Sequence, residues 1–296
     1  MPDLVLPPAP RHPRRLVYLG TPSFAVPPLR ALVEAGFDVG LVVSRADARR
    51  GRGGRVTPSP VKAAALELGL PVSDRVDDVL SAGADLGVVV AFGRIIRPDV
   101  LAELPLVNIH FSLLPRWRGA APVERAVLAG DETTGVDLMV VEEGLDTGAV
   151  YDRAEVTIGP DETVDELRAR LTDEGTRLLV ANLREGLGEP TPQVGEPTYA
   201  HKIDPAELRI DWSAPAVAVH RLVRVGGAWT TFRGKRLKVW RTSLSVEESP
   251  EVEGLDVPAG DGTIRLLEVQ PEGKPHMTAT AWANGARWSP DEPFGN

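Results

Sequence analysis

Cysteine is absent from the 296 residues, which excludes disulfides, thiolate nucleophiles and zinc sites built on cysteine and leaves a cytoplasmic setting as the default. Histidine is scarce: the five (His12, His110, His201, His220, His276) are scattered, with no HxxxH or HxH pair, so no metal is expected. No apolar run approaches the roughly 20 residues that cross a bilayer, so no membrane partner is expected. Residues 1–13 are proline-rich and lack the apolar stretch of a secretory signal; they read as a short disordered extension. The dinucleotide fingerprint GxGxxG is missing too. The first strand ends in Leu19-Gly20-Thr21-Pro22-Ser23, with one of those glycines, so the loop does not argue for NAD.

What is present describes an ordinary globular protein, 43% hydrophobic and 25% charged, at a length that suggests two domains. The net charge of −9 argues against a generic nucleic-acid binder. The basic residues are nevertheless gathered. Arg45, Arg49, Arg50, Arg52, Arg55 and Lys62 share residues 45–62 with one acid, Asp47, and residues 202–241 carry nine basic residues against three acids. From charge alone these are two solvated faces, although such islands can draw in a polyanion locally.

The first half alternates strand-like and helix-like segments: strands near 15–19, 39–43, 86–91 and 107–111, helices opened by proline near 27–35 and 60–68, and a helix across 120–129. This rhythm implies an α/β, doubly wound parallel sheet. Strands follow at 135–141 and 149–156, and a long helix at 164–186 closes a domain spanning 14–187. Residues 188–205 have a linker's composition. Beyond them, 206–296 breaks into short segments punctuated by glycine, as in a small β-barrel.

The strongest local signal is Asn108-Ile109-His110-Phe111-Ser112-Leu113-Leu114-Pro115-Arg116-Trp117-Arg118-Gly119. On a strand, Asn108 and His110 project to one face and Ile109 to the other. In a doubly wound fold ligands bind at the carboxyl ends of the strands, where an amide donor and an imidazole suit acyl chemistry. By itself, an Asn-x-His strand end is more often a satisfied hydrogen-bond cluster. Gly144-Leu145-Asp146-Thr147-Gly148 lies between two strands and reads either as a hairpin turn or as a carboxylate brought over the sheet edge to the imidazole.

The run from Asn108 to Gly119, continued by Ala120-Ala121-Pro122, resembles the signature of the 10-formyltetrahydrofolate-dependent formyltransferases, and within them the branch that acts on methionyl-tRNA. Pro58-Ser59-Pro60-Val61-Lys62, Gly144-Leu145-Asp146-Thr147-Gly148, Thr198-Tyr199-Ala200, Arg209-Ile210-Asp211-Trp212-Ser213 and Gln270-Pro271-Glu272-Gly273-Lys274 match in the same order. The resemblance implies an N-terminal Rossmann-like formyltransferase domain and a C-terminal, tRNA-binding barrel of OB type. It implies 10-formyltetrahydrofolate as co-substrate, initiator methionyl-tRNA as partner and a monomeric enzyme without a metal.

The same resemblance implies roles for residues. Asn108, His110 and Asp146 fall on the family's catalytic trio. Ser112, Leu113, Leu114 and Pro115 match its folate-contacting segment, and Val90, Ala91, Phe92, Gly93 and Ile95 lie along the implied pterin pocket. Arg45, Arg49, Arg50, Arg52, Arg55 and Lys62 belong to an implied tRNA-contacting basic loop, mobile until phosphates order it. Two other readings stand beside this one. A sugar N-formyltransferase shares the trio but has no need of the basic loop, and a catalytically silent RNA-binding module has no use for the trio.

Overall fold

The computed structural model describes residues 5–50, 54–244 and 253–295, and it divides into two compact units. The first comprises residues up to 122 together with 133–157 and 168–200. The second comprises 123–132, 158–167 and the chain from 201 onward.

The first unit is built on a seven-stranded sheet. Its order across the sheet is Val150–Thr157, Thr133–Val140, Leu106–His110, Leu86–Val90, Arg15–Gly20, Asp38–Val43 and Val72–Ser73. The last five are mutually parallel, and Leu86–Val90, Leu16 to Leu19 and Leu106–Val107 are buried, as strands covered on both faces require. These five strands are the expected parallel sheet; toward one edge it is extended by Thr133–Val140, which runs antiparallel to both its neighbours. Only a short loop joins it to Val150–Thr157, and a parallel return would need a crossover of about a dozen residues or more.

Helix boundaries follow local chemistry. The helix Pro60–Glu67 starts on proline after Ser59, whose hydroxyl accepts the Lys62 N–H at 3.0 Å. The helix Val164–Glu185 covers the Ile109 side of the sheet: a β-carbon on Gly175 would lie 2.7 Å from Ile109 Cγ2, so only glycine permits this approach. Strand alternation therefore turns Asn108 and His110 to the opposite face. The chain leaves Arg15–Gly20 toward Asp38–Val43 on one side and later returns as Leu86–Val90 on the other, which makes the carboxyl ends of these strands the topological switch point.

Two segments expected to be irregular are ordered against this unit. In the described part of the extension, residues 5–13, Leu6 packs on the core, Pro13 is buried and the Arg11 carbonyl accepts the Leu187 N–H at 2.8 Å. In the stretch 188–205, Thr191 bridges Val150, and Tyr199–Ala200 pairs in parallel with Arg118–Gly119. Composition does not report where the backbone groups of either segment find partners.

The second unit contains a five-stranded antiparallel sheet: Trp229–Phe232, Lys235–Ser243, Gly262–Pro271 and Leu255–Ala259 in that order, with Met277–Thr278 also on Gly262–Pro271. Helices Ala216–Val225 and Ala279–Ala286 were not expected from the glycine-punctuated texture. The first of them nevertheless buries Ala216, Val219 and Val223, a helical spacing, into a core with Leu237, Val239, Ile264, Leu266 and Trp282.

Candidate active site

The imidazole of His110 sits at the carboxyl end of Leu106–His110 and is nearly buried. Its Nε2 lies 3.0 Å from the Trp117 carbonyl, and its Nδ1 lies 3.8 Å from Asp146 Oδ2. A carbonyl only accepts, so Nε2 donates its hydrogen there and Nδ1 faces the carboxylate. Asp146 reaches this position from the loop between Thr133–Val140 and Val150–Thr157, with φ of 51°. Its Oδ2 also accepts the Gly119 N–H at 2.8 Å. Gly119 is required there, since its φ is +122° and an added β-carbon would stand 2.9 Å from the Ala200 carbonyl oxygen.

A frame that sequence reasoning did not assign to the site surrounds this pair. Gln193 donates through Nε2 to the carbonyls of Asp146 and Gly148, each at 2.8 Å, and its Oε1 accepts from Arg118 at 2.6 Å. Thr198 takes the Trp117 N–H on its hydroxyl at 2.9 Å and the Arg118 N–H on its carbonyl at 2.8 Å. Both lie within 188–205, where composition carries no hint of Gln193. The motif Thr198-Tyr199-Ala200 was a signal available for the other.

Asn108 shares the face of His110 two residues earlier and pairs in register with Val89. The strand Leu86–Val90 therefore delivers Val90, Ala91, Phe92 and Gly93 beside the Asn108–His110 strand end. These residues separate into different settings. Val90 and the Phe92 ring are buried, and Phe92 belongs to a core cluster. Thr21 Oγ1 donates to the Phe92 carbonyl at 3.2 Å across the switch point. Ile95 is exposed at 90%.

The segment Ser112 to Pro115 follows His110 directly. Ser112 is buried and donates to the Arg116 carbonyl at 2.6 Å; Leu114 packs with Met139 and Val150. The Leu114 N–H donates to Asp137 Oδ2 at 2.9 Å, and Arg153 donates to the same oxygen at 3.0 Å. Burial pushes the Asp137 carboxyl up to about 6, against the Leu114 N–H and the Arg153 charge, which pull it down.

Within the basic segment, Ala48–Arg50 pairs antiparallel with Arg55–Thr57. Arg49 extends from it into solvent, while Arg52 lies outside the described residues. Among the described side chains, two are engaged within the unit. Arg45 donates to the Gly93 carbonyl at 2.9 Å, and Lys62 pairs with Asp47 at 2.6 Å.

Residues 14–183 match the family model for formyl transferase and residues 202–287 that for the formyl transferase C-terminal domain. The chain is similar to the methionyl-tRNA formyltransferase of Symbiobacterium thermophilum, at 42% identity over 94% of this chain and 96% of the relative. It is similar also to that of Dinoroseobacter shibae, at 46% identity over 88% and 93%. Among solved structures, HypX from Aquifex aeolicus in complex with tetrahydrofolic acid shares the fold, with a TM-score of 0.63 at 19% identity over 92% of this chain and 47% of that one. With both models matched in order along one chain and its relatives aligned nearly end to end, this protein belongs to the formyl transferase family.

Proposed function

We propose that the protein transfers the formyl group of 10-formyltetrahydrofolate to the α-amino group of initiator methionyl-tRNA, giving N-formylmethionyl-tRNA and tetrahydrofolate for translation initiation. The observation that carries this reading is the His110–Asp146 pair at the strand ends, in a chain whose relatives at 42–46% identity are methionyl-tRNA formyltransferases.

In this reading the uncharged α-amine attacks the formyl carbon on N10 and forms a tetrahedral intermediate. Asn108 donates a hydrogen bond to its oxyanion, and protonated His110 stabilises the same oxygen through its positive charge. Asp146 holds the imidazole and a water that carries the proton lost by the amine to N10, whose bond to carbon breaks. The 3.8 Å between Nδ1 and Oδ2 is a distance that tightening on substrate closes. The backbone of Ala91–Gly93 reads the pterin edge, and Ser112 to Pro115 lie along the folate.

Two basic features support a polyanionic substrate. Arg49, Arg50, Arg52 and Arg55 fall within seven consecutive residues, 49–55. On the second unit, Arg236 and Arg209 lie 4.2 and 5.7 Å from the Trp229 ring centre, and Lys238 lies 5.7 Å from that of Trp240, a pairing of cations with aromatic faces suited to RNA. The deciding experiment offers 10-formyltetrahydrofolate with either charged initiator Met-tRNA or an amino-sugar nucleotide. Formylation of the tRNA supports the reading; turnover confined to the sugar overturns it.

A further inference from the structure

Asp137 is a fully buried carboxylate near the site, and the mechanism above makes no use of it. Antiparallel register sets it directly opposite His110 on one side and Arg153 on the other. Opposed residues in such a pair present their side chains on one face, so Asp137, His110 and Arg153 share the site face of the sheet. The Asp137 side chain is fully buried, and its Oδ1 has no hydrogen-bond partner among the described residues. A buried carboxylate with an unused oxygen is a burden that an apolar residue would avoid.

What the carboxylate does is hold a peptide. Oδ2 takes the Leu114 N–H, and the Arg153 guanidinium that pairs with Oδ2 also donates to the Leu114 carbonyl at 3.3 Å. Both polar groups of one residue are thereby fixed from the neighbouring strands. The rest of the seat is apolar: Leu113 lies over Gly135, where an added β-carbon would be 2.4 Å from Leu113 Cδ2, and Leu114 rests on Met139 and Val150. Apolar contact locates the segment without orienting its peptide planes, whereas hydrogen bonds are directional.

We propose that ionised Asp137, backed by Arg153, is a positioning residue for the formyl-donor site, fixing Leu114 and through it the turn that carries the Trp117 carbonyl to His110. This rests on the reading of Ser112 to Pro115 as the folate segment. The charged and titratable groups around the carboxyl are Arg153 and Asp152 from the outer strand and His110 from the inner one. Arg153 favours the ionised form, and Asp152 and burial oppose it. Protonation near pH 6 would remove the charge pairing with Arg153 and loosen the segment.

The test is the pH dependence of binding of 5-formyltetrahydrofolate, a stable analogue of the donor, measured by calorimetry on the full chain. If only the ionised form is competent, the parent Kd rises roughly tenfold one pH unit below the carboxyl's titration point. Asp137→Asn binds roughly tenfold more weakly at pH 8 and lacks that step, which separates it from any titration of His110 or of the ligand. Arg153→Gln, at a half-exposed position, keeps the fold and moves the step to higher pH. A parent-like step in Asp137→Asn, or an unmoved step in Arg153→Gln, overturns the proposal while leaving folate binding intact. If Asp137→Asn does not fold, Arg153→Gln decides. A parent that binds no folate at any pH overturns the folate reading and this proposal with it.

Discussion

Asp146 Oδ2 stands 3.8 Å from His110 Nδ1 and accepts the Gly119 N–H at 2.8 Å, so one carboxylate oxygen joins the imidazole to the turn that closes over it. The carboxylate is fixed by a backbone donor before any substrate arrives, which is the preorganisation a transition state requires. Asp146→Asn keeps an acceptor for Gly119 and removes the charge facing His110. Turnover should fall on the order of a hundredfold or more, with the folate Kd within about twofold of the parent. Single-turnover kinetics and calorimetry on the same preparation check both values; near-parental turnover would reduce Asp146 to a turn residue.

Gly119→Ala tests the same link from the other side. A side chain at this positive φ, pressed on the Ala200 carbonyl, should cost about 1–3 kcal/mol in urea unfolding. Because the Gly119 N–H must move with its α-carbon, turnover should drop by more than stability alone explains under conditions where the variant is fully folded. Parental activity in a folded variant would show that the Gly119–Asp146 bond is dispensable.

The arginines of residues 49–55 make a prediction about salt. Changing Arg49, Arg50, Arg52 and Arg55 to Ala should raise the KM for Met-tRNA and flatten its dependence on ionic strength, since each phosphate contact releases condensed counterions. Urea unfolding should move little if these charges are solvated, since exposed ion pairs contribute about 0–1 kcal/mol each. The folate KM should hold, because Arg45, which reaches the Gly93 carbonyl, is left in place. Unchanged formylation of Met-tRNA at physiological salt would mean that the segment is only solvated.

His220 predicts an acid sensitivity of the second unit. Its Nδ1 lies 2.9 Å from Thr242 Oγ1 and its Nε2 3.1 Å from the Pro160 carbonyl, and burial lowers its pKa below the ordinary 6.5 despite the nearby Asp161. A histidine held neutral in the fold binds its proton more readily when unfolded. The stability it contributes is therefore full above about pH 6.5 and is lost as pH falls through the depressed value. His220→Gln should be less stable than the parent at pH 7.5, with the difference narrowing toward pH 5. A constant difference across that range would show that His220 titrates alike in both states.

The sequence by itself determined the strands, because continuous β-branched runs such as 86–90 and the alternation across 106–110 admit little else, and proline after a capping serine marked a helix start at Pro60. It determined the face shared by Asn108 and His110, which follows from a period of two. It also marked Asp146 through the motif Gly144-Leu145-Asp146-Thr147-Gly148. Helix Ala216–Val225 was equally legible in its apolar spacing and was masked by the glycines that follow it.

Only the tertiary structure decided which distant groups meet. Asp137 and His110 are opposed by an antiparallel register set far along the chain, and nothing local to either residue encodes it. Gln193 binds the Asp146 and Gly148 carbonyls from a stretch whose composition speaks only of irregular backbone. Arg45 and Gly93 come together because parallel strands put successive loops at the same sheet edge. The physical reason is common to all three: periodicity and propensity act over a few residues and fix the elements, whereas the partner of a buried polar group is chosen by pairing register and loop packing, which local sequence does not carry.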